Sequence, residues 1–381
     1  MRAGRTWPRE RQPQSRFRDA APVTLLLGVM LVALLSGCGS SPNSAKPGDA
    51  RASRVVMTSA SNGYAVWPSG ARWIVIGTTD GWRTVVNRTP MAVPTDGGLV
   101  VLARQAQLWV GVLAHQLLRV SPVLQAGGAA RTWVPSQLPG ALLPTSSSLA
   151  RSAHALWAVL ADGRVAQLPD GSQAWSVLGV VNTEMAHLGS PARGIDFADG
   201  AHGLIWAADP AGHPVLWSTT NEGATWVHQQ LADSAPGQVL AACHVDELWL
   251  VPVAEPGRLV LYSSSSPHGP WTKGGALAAA SPPVVACAPH SLWAAVPRDG
   301  GGEIFVTVDT TGSAAWVDRG ALASQLTSLA PVSESEAWAT SDDATAVFAV
   351  NLPSAGAGKI IVSRTALPHW VTTVGGAAMS N

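Results

Sequence analysis

Residues 219–226, Thr-Thr-Asn-Glu-Gly-Ala-Thr-Trp, are the clearest copy of a turn motif that recurs along the chain. In such a turn the Asn side chain accepts backbone amides, and Gly takes a positive φ without a steric penalty. The Trp that follows closes a hairpin and packs between neighbouring sheets, a burial worth roughly 2–3 kcal/mol. Degraded copies lie at residues 78–85, 168–175, 264–271 and 307–316.

A second signal, a small or apolar residue followed by Trp, recurs in phase with these turns. The seven copies are Val66-Trp67, Leu108-Trp109, Leu156-Trp157, Ile205-Trp206, Leu248-Trp249, Leu292-Trp293 and Ala337-Trp338. Their spacing of 42–49 residues is typical of a four-stranded propeller blade and longer than that of helical repeats. Short β-branched runs bounded by Gly, Pro, Asp and Ser also indicate strands.

The turn motif resembles the Asp box of bacterial-neuraminidase repeats, Ser/Thr-x-Asp-x-Gly-x-Thr-Trp, with Asn221 in place of Asp. With the seven Trp steps, it predicts an all-β fold: a seven-bladed, WD40-like β-propeller of four-stranded antiparallel blades over residues 54–381. The sequence does not decide how blade seven closes, because Trp370 comes later in its repeat than the other second Trp residues and no clean Asp box precedes it. Asp-box propellers include sialidases, sortilin-type receptors and photosystem II assembly factors. The resemblance implies a structural role for the boxes themselves.

The N-terminal residues predict an export signal. Six arginines precede an apolar run over residues 23–35, which is too short for a permanent membrane span. The run ends in Leu35-Ser36-Gly37-Cys38, which resembles a bacterial lipobox. We therefore expect a signal peptide at 1–37, a lipidated (palmitate-bearing) Cys38 and a flexible tether to residue 53. An ordinary secretory signal is the alternative.

Charge and composition exclude several classes of protein. The 24 basic and 24 acidic residues balance, which argues against a nucleic-acid binder. Hydrophobic residues make up 47% of the chain, enough for a full core. Residues 1–37 hold six of the bases and two of the acids, so the remainder would carry a net charge of −4. Acyl chains, rather than a basic patch, would then hold the protein at the membrane.

A catalytic site is not apparent in the sequence. Sialidases use a Tyr nucleophile activated by Glu, and this chain has only Tyr64 and Tyr262. Other propeller hydrolases need two carboxylates within about 5–10 Å, one with a raised pKa. Acidic residues fall in predicted loops, but the sequence cannot pair them: Asp162, Asp209, Glu255, Asp299, Glu303, Asp342 and Asp343. We therefore assign no catalytic residue and no cofactor.

Histidines and cysteines recur at equivalent positions. His154, His202, His244 and His290 each precede a Trp step by three to five residues. Equivalent turns of different blades are too far apart for metal bonds of about 2 Å, so we interpret them as polar turn residues and expect no metal. Cys243 and Cys287 each lie six residues before a Trp step. The sequence leaves two alternatives for this pair: a disulfide, worth at most ~4 kcal/mol, or two buried free thiols.

The turn after each Trp step carries much of the charge, on the side opposite the Asp-box turns. Loops on a rigid scaffold commonly carry function, so Arg72, Arg164, Arg258 and Arg298 form a candidate face for an anionic or sugar ligand. Solvated turn charges are the alternative.

The sequence thus predicts a monomeric, lipid-anchored propeller on the extracytoplasmic side of the cell membrane. It would act as a binding or assembly scaffold for an envelope protein or a surface glycan. A sialidase-like or other glycoside hydrolase at the cell surface is the second hypothesis.

Overall fold

A computed structural model gives the fold. It describes residues 54–69, 72–88, 98–104, 107–114 and 117–123, and all residues of 138–368 except 141, 144, 146, 173, 289, 310–313, 342–345 and 354–359. Every described residue belongs to the unit Ala45–Asn381. The predicted signal peptide, Cys38 and Trp370 lie outside the described residues.

Short antiparallel strands, joined mostly by tight turns, build one sheet after another. Blade 1 contains β1 (Arg54–Met57), β2 (Gly63–Ser69), β3 (Arg72–Thr78) and β4 (Val86–Asn87). A three-stranded sheet follows, with β5 (Gly98–Arg104), β6 (Gln107–Ala114) and β7 (Leu117–Val123). Blade 2 contains β8 (Leu149–Arg151), β9 (Ala155–Val159), β10 (Val165–Pro169) and β11 (Ser176–Val177).

The remaining blades follow the same order. Blade 3 contains β12 (Ala192–Phe197), β13 (Gly203–Ala208), β14 (Pro214–Thr219) and β15 (Val227–Gln230). Blade 4 contains β16 (Gln238–Val239), β17 (Cys243–Val245), β18 (Leu248–Glu255), β19 (Arg258–Ser264) and β20 (Thr272–Ala278). Blade 5 contains β21 (Val284–Ala288), β22 (Ser291–Arg298), β23 (Gly301–Asp309) and β24 (Ala314–Leu322). Blade 6 contains β25 (Leu326–Pro331), β26 (Glu336–Ser341), β27 (Ala346–Asn351) and β28 (Ile361–Ala366).

The number of blades corrects the sequence-based prediction. Within the described residues, six sheets have the four strands of a blade, with the first strand of blade 4 split into β16 and β17. The sheet β5–β7 has three strands in the part of the chain that the structure describes, so the prediction of seven four-stranded blades is wrong. The Trp step at Trp109 lies in β6, the middle strand of that sheet. The step therefore marks the second strand of a sheet and carries no information about whether a fourth strand forms.

The first strands of successive sheets face one another. β8 contacts β12, β17 contacts β21, β21 contacts β25, and β25 contacts β1, while β5 contacts both β1 and β8. This succession is that of a propeller, in which each blade's first strand lies innermost. We call the four strands of a blade A to D in chain order. The turns between A and B and between C and D then lie on one side, and the B–C turns lie on the other.

Apolar side chains fill the spaces between neighbouring blades. Between blades 2 and 3, Trp157 and Trp217 are fully buried and Phe197 lies 5.3 Å from Trp157 between ring centroids. Between blades 6 and 1, Trp82 packs with Trp338 in a second cluster. Because neither face of a blade can be covered by the blade itself, this packing makes each blade depend on its neighbours.

Among the described residues, one helix interrupts the β pattern. α1 (Gly179–His187) joins blades 2 and 3 and buries Val181 and Met185. Asn182 accepts from the amide of Val165 and donates to its carbonyl, at 2.8 and 2.9 Å, so its side chain completes the edge of β10. The sequence analysis missed this helix. No helix in the described part of the chain is long and apolar enough to cross a membrane.

Candidate functional site

The C–D turn of blade 1 is closed by side-chain hydrogen bonds. Asp80 Oδ1 accepts from the amide of Thr84 at 2.9 Å, and Asp80 Oδ2 accepts from its hydroxyl at 2.7 Å. Thr78 Oγ1 accepts from the amide of Trp82 at 2.9 Å. The amide and hydroxyl of Thr84 hold the pKa of Asp80 below its ordinary value.

The C–D turn of blade 3 repeats this pattern with an amide in place of the carboxylate. Asn221 Oδ1 accepts from the amide of Thr225 at 2.9 Å, and Thr219 Oγ1 accepts from the amide of Gly223 at 2.9 Å. One bond is reversed, because Asn221 Nδ2 donates to the hydroxyl of Thr225 at 2.9 Å. The turn function that the sequence suggested for Asp and Asn is therefore present in both turns.

The other described C–D turns use different interactions. Asp170 pairs with Arg151 through two bonds of 2.6 Å, and this pairing lowers the pKa of Asp170. In blade 4, Ser264 Oγ accepts from the amide of Ser266 at 3.2 Å, and Ser266 Oγ accepts from the amide of His268 at 3.1 Å. The copies at residues 168–175 and 264–271 therefore lack the Asp-centred bonds to turn amides that residues 78–85 make.

The predicted ligand-face arginines lie in or beside B–C turns, as expected, yet three of them are paired within their own hairpins. Arg164 Nε donates to Asp162 at 2.7 Å, and Arg298 Nε donates to Glu303 at 2.7 Å. Arg258 Nε donates to Glu255 at 2.7 Å. The side chain of Arg72 lies outside the described side chains. No two of the described arginines share a carboxylate.

Glu255 is the most deeply buried carboxylate among the described ion pairs, with 1% of its side chain exposed. Oε2 lies 2.6 Å from Arg258 Nη2, and Oε1 lies 3.6 Å from Lys273 Nζ. Oε1 also accepts from the amide of Ala235 at 3.2 Å and from the hydroxyl of Tyr262 at 3.3 Å. Burial alone would raise the pKa of Glu255, but the Ala235 amide, Arg258 and Lys273 outweigh it and hold the pKa below its ordinary value.

The structure thus joins Tyr262 and Glu255, which the sequence analysis had considered separately. Tyr262 is fully buried, and burial together with the negative charge of Glu255 raises the pKa of its phenol well above the ordinary value. A buried phenol that keeps its proton is a poor nucleophile. The Tyr262–Glu255 bond joins β18 and β19 within blade 4, and Lys273 Nζ beside it donates to the carbonyl of Asp233, in the segment between blades 3 and 4, at 2.8 Å.

Within the described residues, every carboxylate whose pKa is shifted has a pKa below its ordinary value. The pKa is lowered at Asp80, Asp170, Asp199, Asp209 and Glu255. A glycosidase acid needs the opposite shift, so that it carries a proton at neutral pH. Asp342 and Asp343, two of the acids considered above, lie outside the described residues.

The four histidines lie in or next to A–B turns and interact with nearby side chains. His202 Nδ1 lies 2.7 Å from Asp199 Oδ2, and His290 Nδ1 lies 2.7 Å from Asp246 Oδ1 in the preceding blade. His154 Nε2 lies 3.9 Å from Glu222. His244 packs against Trp249, with ring centroids 5.1 Å apart. Within the described residues, no three His, Cys, Asp or Glu side chains gather as a metal site would require.

Cys243 and Cys287 form a disulfide between β17 and β21, with Cα atoms 5.6 Å apart. Both strands are the innermost strands of their blades. Cys243 is 2% exposed, whereas Cys287 is exposed to solvent.

Two shallow depressions lie on opposite sides of blade 3. One, of about 160 Å³, lies beside the B–C turn and is lined by Asp209, His213, Gln230 and Asp233. The other, of about 530 Å³, lies beside the C–D turn and is lined by Gln167, Asn221 and Glu222. Both are open and polar, which suits a surface that contacts another macromolecule better than an enclosed small-molecule site.

Comparison with solved structures finds many similar folds. Ycf48 bound to D1 peptide has a TM-score of 0.50 and 14% identity, over 79% of this chain and 91% of Ycf48. KlAtg21 in complex with the coiled coil of AgAtg16 has a TM-score of 0.57 and 6% identity, over 83% of this chain and 99% of that one. Streptogramin B lyase has a TM-score of 0.52 and 10% identity, over 78% and 93%.

The fold shared with these structures is the β-propeller. At such low identity the similarity shows the fold alone, and the propellers compared include both binding proteins and a lyase. No protein-family model matches the chain, and no curated protein matches it.

Proposed function

We propose that this propeller is a non-catalytic binding or assembly scaffold for a protein of the cell envelope. The observation that carries the proposal is the pairing of charged side chains in its B–C turns. Their described arginines are neutralised by carboxylates of the same hairpin, and Glu255 is ionised and fully engaged. Such turns present a rigid polar surface rather than a reactive group. Propellers of similar fold that were solved with a peptide or a coiled coil are consistent with a protein ligand.

We also propose that the propeller belongs to the Asp-box class. The support is the shared hydrogen-bond pattern of residues 78–84 and 219–225, in which the first Thr and the third residue accept the same two turn amides. Two turns so far apart in sequence reach the same bonding with different third residues, Asp80 and Asn221.

A lipid anchor at Cys38 completes the proposed function, placing the propeller outside the cytoplasm. The support is the basic segment, the apolar run over residues 23–35 and the Leu-Ser-Gly-Cys sequence at 35–38. Expression of the full chain with an alkyne analogue of palmitate tests it. We expect labelling and membrane fractionation that both disappear in Cys38→Ser. Labelling that persists in this variant would contradict the anchor.

Site-specific photocrosslinking in the native membrane tests the scaffold role. A photoreactive residue at Asp299 samples the B–C side, and one at Thr220 samples the C–D side; both positions are exposed. We expect a discrete protein adduct from position 299 and none from position 220. The absence of any adduct from both positions would contradict a scaffold.

The purified protein also separates the proposal from the hydrolase hypothesis. We expect no turnover of fluorogenic glycosides. Turnover that disappears in Glu255→Gln, with the variant still folded by circular dichroism, would favour the hydrolase.

A further inference from the structure

The two sulfurs of the Cys243–Cys287 disulfide lie in contrasting surroundings. Cys243 is 2% exposed and packs among apolar side chains of blades 4 and 5, namely Val245, Leu248, Leu250, Leu261, Leu292 and Ala314. Cys287 lies on β21, whose residues 284–286 are partly accessible, and is itself exposed to solvent. An external thiolate can therefore approach Cys287, whereas the packing around Cys243 blocks that side of the bond.

We propose that this disulfide is a thiol–disulfide exchange site for a dithiol reductant, attacked at Cys287. This goes beyond the scaffold role and does not depend on it. The disulfide links two innermost strands. In this proposal a small dithiol, or a protein dithiol on a segment narrow enough to reach Cys287, opens the bond without unfolding the propeller.

The reaction proceeds in two balanced steps. The reductant's thiolate bonds to Sγ of Cys287, the bond to Cys243 breaks, and its electron pair leaves with Cys243, which takes a proton from water. The reductant's second thiolate then attacks its own sulfur in the mixed disulfide and releases Cys287 as a thiolate. The protein disulfide gains two electrons, and the dithiol becomes a disulfide.

The apolar surroundings of Cys243 make a dithiol necessary. A thiolate expelled into an apolar cluster is disfavoured, and poor leaving groups slow exchange. Cys243 therefore returns to the mixed disulfide and closes the bond again unless a second thiol acts first. A monothiol at the same thiol concentration should leave most of the protein closed.

A matched pair of variants tests the asymmetry. The chain has three cysteines, so the full chain with Cys38→Ser keeps only the disulfide pair. In that background, Cys243→Ser leaves Cys287 free and Cys287→Ser leaves Cys243 free, and both variants lack the bond equally. We expect an aromatic disulfide reagent to label Cys287 at least tenfold faster than Cys243. Equal rates, or faster labelling of Cys243, would overturn the proposal.

The Cys38→Ser chain, with its disulfide intact, tests the reaction itself. Dithiothreitol without denaturant should expose two alkylatable thiols at a rate that low urea does not change. Glutathione should leave most protein closed, with any adduct mapping to Cys287 by peptide mass. The proposal is overturned by two thiols alkylated before any reductant is added, by reduction that requires denaturant, or by an adduct on Cys243.

Discussion

Asp246 and His290 pair across blades 4 and 5 in the same register as the disulfide. Each lies three residues after a cysteine, Asp246 after Cys243 and His290 after Cys287. The side chains meet at 2.7 Å, with 52% and 62% of their surfaces exposed. Because the two innermost strands are covalently joined just before their A–B turns, the bond and the ion pair hold the same inter-strand alignment.

This pair predicts the titration of His290. The hydrogen bond and charge of Asp246, with a smaller contribution from Glu334, raise the pKa of His290 above its ordinary value of 6.5. The pair therefore stabilises the fold fully below the ordinary His pKa, and the stabilisation is lost as the pH rises through the folded value. We expect Asp246→Asn to lower the pKa of His290 by NMR titration, and Glu334→Gln to lower it less. An unchanged pKa in Asp246→Asn would refute the pairing.

Asn221 predicts how much one turn contributes to stability. Asn221→Ala removes the bonds to the amide and hydroxyl of Thr225, and we expect a loss of about 1–2 kcal/mol in urea unfolding. Asn221→Asp should retain most of the stability at neutral pH, because Asp80 makes the equivalent bonds when the Thr84 hydroxyl donates. If the Asp variant loses as much as the Ala variant, the two turns are not equivalent.

The sequence predicted the blades better than the contacts between them. The Trp steps found the second strand of every sheet because a buried indole in a short strand is a local feature, as at Trp67 and Trp293. The number of strands in the sheet β5–β7, which has three within the described residues, has no such marker. α1 was missed because its Val180-Val181 pair is a weak helix signal, and tertiary bonds from Asn182 hold it in place.

The contacts of the candidate site were likewise predictable where they are local in sequence and not where they join distant segments. The pairing of Glu255 with Arg258, three residues away, is a consequence of the hairpin and was within reach of the sequence. The contact of Glu255 with Lys273 arises only when β20 joins the sheet of blade 4, and the contact with the amide of Ala235 arises only when the segment leading out of blade 3 lies against blade 4. In the sequence, Glu255 is therefore one of several loop acids, and neither its burial nor the two cations beside it can be read from its neighbours.

Two ion pairs of similar length predict unequal stabilities. Glu255→Gln leaves Arg258 and Lys273 beside a buried site without their counter-charge, and we expect a loss of about 1–3 kcal/mol, reduced from the fully buried case because both cations are partly exposed. Glu303→Gln breaks a pair whose members are 32% and 34% exposed, and we expect about 0–1 kcal/mol.

The pH dependence of these variants is a further check. Because the folded pKa of Glu255 is lowered, its contribution is present above the unfolded value and is lost as the pH falls through the folded one. Parent and Glu255→Gln should therefore converge in stability in acid. If Glu255→Gln and Glu303→Gln lose the same free energy of unfolding at neutral pH, burial is not what makes the Glu255 pair the more stabilising one.

Gly223 predicts how closely blade 3 packs on blade 2. Its φ is +82°, and a Cβ there would lie 2.3 Å from the Trp157 ring. Gly171 in the C–D turn of blade 2 has a φ of +74° but open space around the Cβ position. Gly171→Ala should therefore cost only the backbone strain, about 1 kcal/mol, whereas Gly223→Ala should cost at least about 2 kcal/mol because Trp157 must also shift.

Thermal unfolding followed by Trp fluorescence measures both variants. A displaced Trp157 should also change the near-ultraviolet circular dichroism of Gly223→Ala and leave that of Gly171→Ala unchanged, since Trp157 contacts Phe197 and Trp226 at 5.3 and 5.8 Å between ring centroids. Equal losses and unchanged spectra in both variants would mean that the C–D turn of blade 3 does not rest on this indole. Blade 3 would then not depend on blade 2 at this interface.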